Sequence, residues 1–255
     1  MVVCDVGQGD ALVLNAGHRS AVVVDTGPDA QAVDRCLDRL DIRAVPLVVL
    51  SHLHADHAAG LTGVDDGRAV TEVEVGPLDT PVDQLRSVLA WAARERVLVR
   101  RAVYGERRHL GRLFWQVIAP DSHRPLPRTA DGDESGDENN ASLVLLVRYA
   151  GLRLLLTGDI EPEAQQALLR SGADVRADVL KVPHHGSRYQ DAGLLAAVGA
   201  EVAVVSAGAD NDYGHPADET LQLLRGSGTR VYRTDVHGDV AVVWSGGEPS
   251  VETQR

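Results

Sequence analysis

The sequence predicts two packed β-sheets with helices on their outer sides, on three observations. Short β-branched runs follow one another at the start of the chain, at residues 2–6, 12–14 and 21–25, separated by Gly9-Asp10 and Asn15-Ala16-Gly17. Turn chemistry of that kind joins antiparallel strands. Later strands alternate with helical segments, a mixture that one doubly wound parallel sheet does not accommodate. Finally, 255 residues, 44% of them hydrophobic and 24% charged, suffice to bury such a core.

The elements follow in order. Residues 29–40 place Ala32, Val33, Cys36, Leu37 and Leu40 at helical spacing, and the apolar run 45–50 reads as a buried strand that ends on a histidine-rich loop. Helix is predicted at 81–95, strands at 97–103 and 113–119, and a hairpin from 142–147 to 153–157. The second half alternates helix 161–170, strand 178–182, helix 190–198, strand 201–206 and helix 217–226, and closes with strands 230–233 and 239–244. Residues 120–140, rich in Pro, Asp, Glu, Ser and Gly, read as a mobile surface insertion within one domain spanning 1–255.

Composition excludes several classes. No apolar run approaches the roughly 18 residues of a membrane-spanning helix, and MVVCDVGQGD has neither the basic nor the apolar segment of a signal peptide. A strand at the first residues leads to the expectation of a soluble unit cut from a longer protein. Cys4 and Cys36, 32 positions apart with no CxxC, imply neither a disulfide framework nor a thiolate metal site and are read as small core residues. The net charge of −12 argues against a uniformly basic nucleic-acid coat. The charge is uneven, however. Residues 94–112 carry seven arginines against two glutamates, whereas 131–138 carry five acids and no base. The arginine stretch is read first as a solvated surface and second as a track for a phosphate backbone. With aromatic residues at 4%, a base-stacking platform has little support.

Chemistry concentrates at strand ends. SHLHADHAAG, residues 51–60, holds His52, His54, Asp56 and His57 within six positions. Alternate side chains at 52 and 54 point one way, while 56 and 57 turn to a second point nearby, as two adjacent cations require. A solvated loop with accidental histidines is the bland alternative, and three histidines in six positions weigh against it. LLLTGDIE delivers Asp159, which alone reads as a helix N-cap. DVLKVPHHGSR opens into His184 and His185, with Lys181 beside them. NDYGHP places His215 before a proline at another strand-to-helix turn. Four strand ends thus each deliver a metal-ligand type. DVGQGD lacks the helix that follows a phosphate loop; Gly7 and Gly9 are read as permitting close approach of the first hairpin, with Asp5, Gln8 and Asp10, and also Asp25, as acceptors for ligand histidines. For Asp25 a turn aspartate is an equal reading.

HxHxDH followed by a strand-terminal TGD and a later histidine resembles the metallo-β-lactamase superfamily. The ordered set CDVGQGDAL, SHLHADHAAG, NNASLVL, LLTGDIE, LKVPHHGS and YGHP is similar to the hydrolase domain of ComEC-type DNA-uptake channel proteins, from about residue 3 to 245. The resemblance implies an αββα sandwich of two mixed sheets flanked by helices, with a dinuclear centre at one edge. It also implies a polytopic membrane parent with a channel portion, and other DNA-uptake proteins, as partners. His52 and His54 are then expected on one metal, Asp56, His57 and His215 on the second, and Asp159 between them. His184 or His185 matches the phosphate-contacting histidine of phosphodiesterases in the superfamily, His184 being the first choice. A third histidine usual for the first metal is missing. Asn139, Asn140 and Ser142 stand in its region, which shifts the expected ions from zinc toward manganese or magnesium.

The reaction expected is attack of metal-activated water on a phosphodiester, with Asp56 or Asp159 orienting the nucleophile and His184 or His185 acting at a phosphoryl oxygen. Lys181 either adds positive charge or packs its stem and carries its head to water. The function expected is a nuclease degrading the non-imported single strand during DNA uptake. The alternatives are hydrolysis of a small diester such as a phosphocholine ester, and a non-catalytic docking module of the channel.

Overall fold

The computed structural model describes residues 1–129, 132–245 and 247–255. The chain starts with β1 (Val2–Val3), β2 (Ala11–Gly17), β3 (Ser20–Thr26), α1 (Ala30–Arg39) and β4 (Ala44–Leu50). It continues through the short α2 (Ala55–Ala58), β5 (Ala69–Val75), α3 (Val82–Glu95), β6 (Leu98–Arg101), β7 (Arg107–Leu110) and β8 (Leu113–Ala119). Then come α4 (Glu134–Asn140), β9 (Val144–Tyr149), β10 (Leu152–Leu156), α5 (Pro162–Ser171), β11 (Val179–Lys181) and α6 (Ala192–Val198). The chain ends with β12 (Val202–Val205), α7 (Asp218–Gly226), β13 (Arg230–Arg233), α8 (Thr234–His237), β14 (Val240–Ser245) and β15 (Glu248–Thr253).

Two mixed sheets form, in the orders β15-β14-β1-β2-β3-β4-β5-β6 and β13-β12-β11-β10-β9-β8-β7. Alternation along the strands sends one set of side chains between them. Leu12, Leu14, Val22 and Val24 of the first sheet meet Trp115, Val147, Leu154 and Val204 of the second in one buried cluster. The opposite faces are covered by helices, the first sheet by α1 and α3 through Leu37, Val88 and Trp91, the second by α5, α6 and α7 through Leu168, Leu194 and Leu224. The sandwich flanked by helices is therefore as expected. Among the described residues no helix is long and apolar enough to cross a membrane.

Two expectations are corrected. Cys4 and Cys36 are buried as read, but they form a disulfide, with their Cα atoms 6.1 Å apart. Spacing cannot reveal the pair, because α1 docking on the first sheet is what brings Cys36 to the residue after β1. Cross-linking a loop of this length contributes roughly 3–4 kcal/mol in the chain-entropy account. Reduction is therefore expected to lower the Tm by about 7–15 °C; an unchanged melting curve with the pair chemically shown to be reduced would contradict that contribution. The second correction concerns residues 120–140, of which 130 and 131 lie outside the described residues. The stretch contains α4, capped by the Asp133 carboxylate on Ser135 N and Gly136 N, and Asn139 and Asn140 at its end are buried.

Candidate metal centre

The carboxyl ends of β3, β4, β10, β11 and β12 meet at one edge of the sandwich, and each delivers a polar residue there. Asp25 is the penultimate residue of β3, in the left-handed region at φ 59°, which aspartate tolerates better than most. Beyond β4, Ser51 and His52 are buried, and α2 then turns Asp56 and His57 inward. The first hairpin arrives through Gly9, where a Cβ would lie 2.1 Å from the Asp56 carbonyl oxygen. Glycine is obligatory for that approach, and it lets Asp10 N donate to the Asp56 carbonyl at 3.1 Å. Gly7 has a different reason, a φ of +80° with open space around it. Asp159 follows Gly158 at the end of β10. After β11, His184 and His185 occupy the left-handed region consecutively, at φ 46° and 50°. Strain of that kind in two non-glycine residues is found where a site requires it.

Among the described residues, ligand atoms of Asp56, His57, Asp159 and His185 lie within 4.8 Å of one another. The His185 Nε2 is 3.2 Å from Asp56 Oδ2 and 3.1 Å from Asp159 Oδ2, and the His57 Nε2 is 3.2 Å from Asp159 Oδ2. Hydrogen bonds on the far side of the rings settle their orientation. His57 Nδ1 donates to Asp25 Oδ2 at 2.9 Å, and His185 Nδ1 to the Ser206 carbonyl at 2.9 Å. Ser51 commits its hydroxyl proton to Asp25, so its Oγ accepts from His52 Nδ1 at 3.1 Å. All three rings thus turn Nε2 inward, the arrangement metal-binding imidazoles use. The Nε2 of His52 is buried with no hydrogen-bond partner, and that of His57 faces the Asp159 and Asp56 carboxylates. A buried polar atom such as the His52 Nε2 is rarely left so, and a divalent cation suits this set of donors.

Charge agrees with geometry. Burial disfavours ionisation of Asp159, yet His185, His57 and Lys181 outweigh it and hold the carboxyl well below the usual range. Burial likewise opposes the His57 imidazolium, and Asp159, Asp56 and Asp25 hold it well above the ordinary histidine range. His185 behaves in the same way, burial being outweighed by Asp159 and Asp10. Protons on these two rings neutralise a carboxylate cluster that a cation neutralises equally well. His52 differs. Burial and the neighbouring His57 push it well down, which keeps it a neutral ligand.

A second group, Asp10, Asp25 and His57, is equally close. It already has its cation. Lys181, 1% exposed, sits against Asp10, with its Nζ 3.4 Å from Asp159 Oδ1 and donating to the Gly158 carbonyl at 3.1 Å. Its head is buried behind the centre rather than carried to water, and its positive charge faces Asp10 and Asp159.

The remaining candidates divide. His52 packs against His54 and His57, with ring centroids 4.6 and 4.2 Å away, beside the four-residue group. Ser142 Oγ lies 3.3 Å from His52 Nδ1 and accepts from Asp159 N at 3.2 Å. His184 and His215 stand side by side in a cleft of about 470 Å³ with Gln8, His54 and Asp56. The His215 ring centroid is 6.4 Å from that of His185, and it is His185 that joins Asp56, His57 and Asp159. Gln8 Oε1 accepts from Gly208 N. Asn140 Oδ1 instead accepts from Glu161 N and Ala164 N at the start of α5. Asp5 is not brought in, because its carboxylate pairs with Arg255. Sequence reasoning missed Glu138, whose Oε2 is 2.6 Å from His54 Nε2, and Ser51 and Ser206, which fix the tautomers.

A sandwich with this histidine–aspartate cluster on its edge defines a metal-dependent hydrolase fold, and the chain belongs to the metallo-β-lactamase superfamily, whose family profile it matches over residues 4–208. It is similar to ComE operon protein 3 of Bacillus subtilis, at 29% identity over 92% of this chain and 32% of that protein. Competence protein ComA of Neisseria gonorrhoeae is 29% identical over 100% of this chain and 33% of its own length. The chain thus spans about a third of the curated relatives it matches. Among solved structures, Zn(2+)-bound PqqB from Methylobacterium extorquens superposes with a TM-score of 0.56 at 12% identity, covering 91% of this chain and 98% of PqqB, a likeness of fold alone.

Proposed function

We propose that the protein is a metal-dependent phosphodiesterase, acting as a nuclease on single-stranded DNA during DNA uptake. The observation that carries this reading is the inward convergence of Asp56, His57, Asp159 and His185, with the buried Nε2 of His52 beside them lacking a hydrogen-bond partner. A divalent ion bound there supplies Lewis-acid charge at a phosphoryl oxygen and brings the pKa of water near neutrality. Manganese or zinc, with magnesium as a further candidate, suits this oxygen and nitrogen donor set, and a second ion would take His52 and His54. Asp25, Ser51 and Ser206 hold the imidazoles in the tautomers that turn Nε2 inward, and Lys181 fixes Asp159.

Asp56, with its side chain 32% exposed, is the carboxylate open to the cleft and orients the attacking water. His184 faces the same cleft with Nδ1 3.4 Å from Glu161 Oε1, and burial lowers its pKa. It is therefore neutral at pH 7 and lines the place a phosphoryl oxygen would take. Beside it, His215 is pulled down to about 4 by burial and its histidine neighbours, which keeps a ligand or phosphate contact uncharged there too.

Similarity to competence proteins supports the DNA-uptake setting, with the channel portion of a longer membrane protein as partner. The Cys4–Cys36 disulfide supports placement on the oxidising side of that membrane. Incubation of the purified chain with end-labelled single-stranded DNA should give shortened products with manganese or zinc and none with a chelator. Intact DNA alongside turnover of a small diester would replace the nuclease with a small-substrate hydrolase. Metal binding with neither reaction would leave a docking module.

A further inference from the structure

The seven arginines of residues 94–112 do not behave alike. Arg94 pairs with Glu95, Arg100 with Glu106 and Glu72, Arg101 with Asp79, and Arg108 with Glu72 and Glu74. These are internal ion pairs of an acidic protein. Arg96, at the end of α3, and Arg107 and Arg112 have no such partner among the described residues, and nor does Arg148, which reaches Arg107 and Arg112 from β9.

Arg107 and Arg148 are brought to one face by strand register, and Arg112 joins them from the turn between β7 and β8. In the row across β7, β8 and β9, His109 faces Phe114 and Phe114 faces Arg148; in the next row Arg107 faces Gln116 and Gln116 faces Leu146. The alternate residues Leu113, Trp115 and Val117 enter the core between the sheets, so these rows look outward. Phe114 is 53% exposed, and its ring stacks on His109 with centroids 5.6 Å apart. It stands between two shallow hollows of about 400 and 550 Å³, lined on one side by Arg107 and Arg108, on the other by Arg112 and Arg153, and on both by Arg148. Among the described residues no carboxylate lines either hollow, although acids outnumber bases 37 to 25 in the whole chain.

We propose that this open face of β7, β8 and β9 is a docking surface for single-stranded nucleic acid, with Arg107, Arg112 and Arg148 on its phosphates and Phe114 under a base. A cationic hollow selects a polyanion, and an exposed ring beside it selects one that carries flat bases, the combination single-strand-binding surfaces use. The low aromatic content excludes an extended platform, but one ring suffices for one base. The surface rests on the proposed function only for the choice of polyanion. Arg148 lies about 20 Å along β9 from Ser142, at roughly 3.3 Å per residue, so a substrate engages both places only when it is several nucleotides long.

Fluorescence anisotropy with a labelled oligothymidylate of about 20 nucleotides, in EDTA to prevent cleavage, tests the surface on the full chain. The triple variant Arg107→Glu, Arg112→Glu and Arg148→Glu should bind about thirtyfold or more weakly, with a salt dependence shallower by roughly 2 in log–log slope. Phe114→Ala should lose about fivefold or more with the slope unchanged. In both, the Tm and turnover of bis(p-nitrophenyl) phosphate should stay as in the parent protein. Undiminished binding by the triple variant overturns the surface, and so does an equal loss on reversing Arg86, Arg170 and Arg225, which would make net charge the cause. The two proposals fail separately. Oligothymidylate bound but never cut with metal present removes the nuclease and leaves the surface; cutting with an unchanged KM in the triple variant removes the surface and leaves the nuclease.

Discussion

Asp159→Ala is expected to cost the protein its high-affinity cation and about a thousandfold or more in metal-dependent turnover. Asp159 lies beside both inward-facing imidazoles, with Oδ2 3.2 Å from His57 and 3.1 Å from His185, and among the described residues no other carboxylate reaches both so closely. Its backbone N–H to Ser142 Oγ survives the substitution, so the strand end should keep its shape. Calorimetric titration with manganese or zinc, alongside turnover of bis(p-nitrophenyl) phosphate, reads both effects independently of any DNA substrate. Parent-like affinity in the variant would remove Asp159 from the centre. Affinity lost with turnover kept would separate the hydrolysis from the ion.

Part of this centre was legible in the sequence for a physical reason. Residues that leave the carboxyl ends of parallel strands converge whatever the loops between them do, so His57, Asp159 and the His184–His185 pair could be grouped from strand prediction and residue type alone, though not which of the pair turns toward Asp159. Their supports could not. Ser51 and Ser206 act through positions set by the packed backbone, and serines near strand ends are common. Glu138 reaches His54 from α4, a helix inside a stretch whose composition reads as loop. The choice of His185 over His215 beside Asp56, His57 and Asp159 depends on two consecutive left-handed residues that no propensity signals.

The fold shows the same division. Most strands made of β-branched runs lie within two residues of where the pattern puts them, whereas β1 ends three residues sooner, β2 ends three residues later, and β7 and β15 lie where no strand is predicted. β5 (Ala69–Val75) escaped because Thr71, Glu72 and Glu74 interrupt its apolar character. Glu72 and Glu74 are tolerated because Arg108 of β7 answers both, Glu74 at 0% exposure. A strand whose charges are neutralised by the opposing sheet does not look like a strand in isolation. The Cys4–Cys36 disulfide is hidden by the same logic, since partners chosen by packing leave no local trace.

The most buried of these charge pairings should be the most costly to break. Lys181→Met keeps the length of the side chain while deleting the cation that faces Asp10 and Asp159. Removing one member of a buried pair leaves the other uncompensated, at about 3–5 kcal/mol. The pH dependence identifies the cause. Burial alone would raise the Asp10 carboxyl, but Lys181, with His185 and His57, more than offsets it and holds the group below its ordinary value. Such a depressed carboxylate stabilises the fold above its unfolded pKa, and that stability is lost as pH falls through the folded value. Lys181, its own pKa raised by Asp10 and Asp159 against the effect of burial, contributes fully below its unfolded value. The deficit of the variant should therefore be largest between about pH 6 and 9 and shrink toward pH 4 as the abandoned carboxylates take up protons. Urea unfolding of both proteins across that range, in a chelator, measures it. A deficit independent of pH would assign the cost to packing of the side chain, and no deficit at all would show that His57 and His185 neutralise the two aspartates without Lys181.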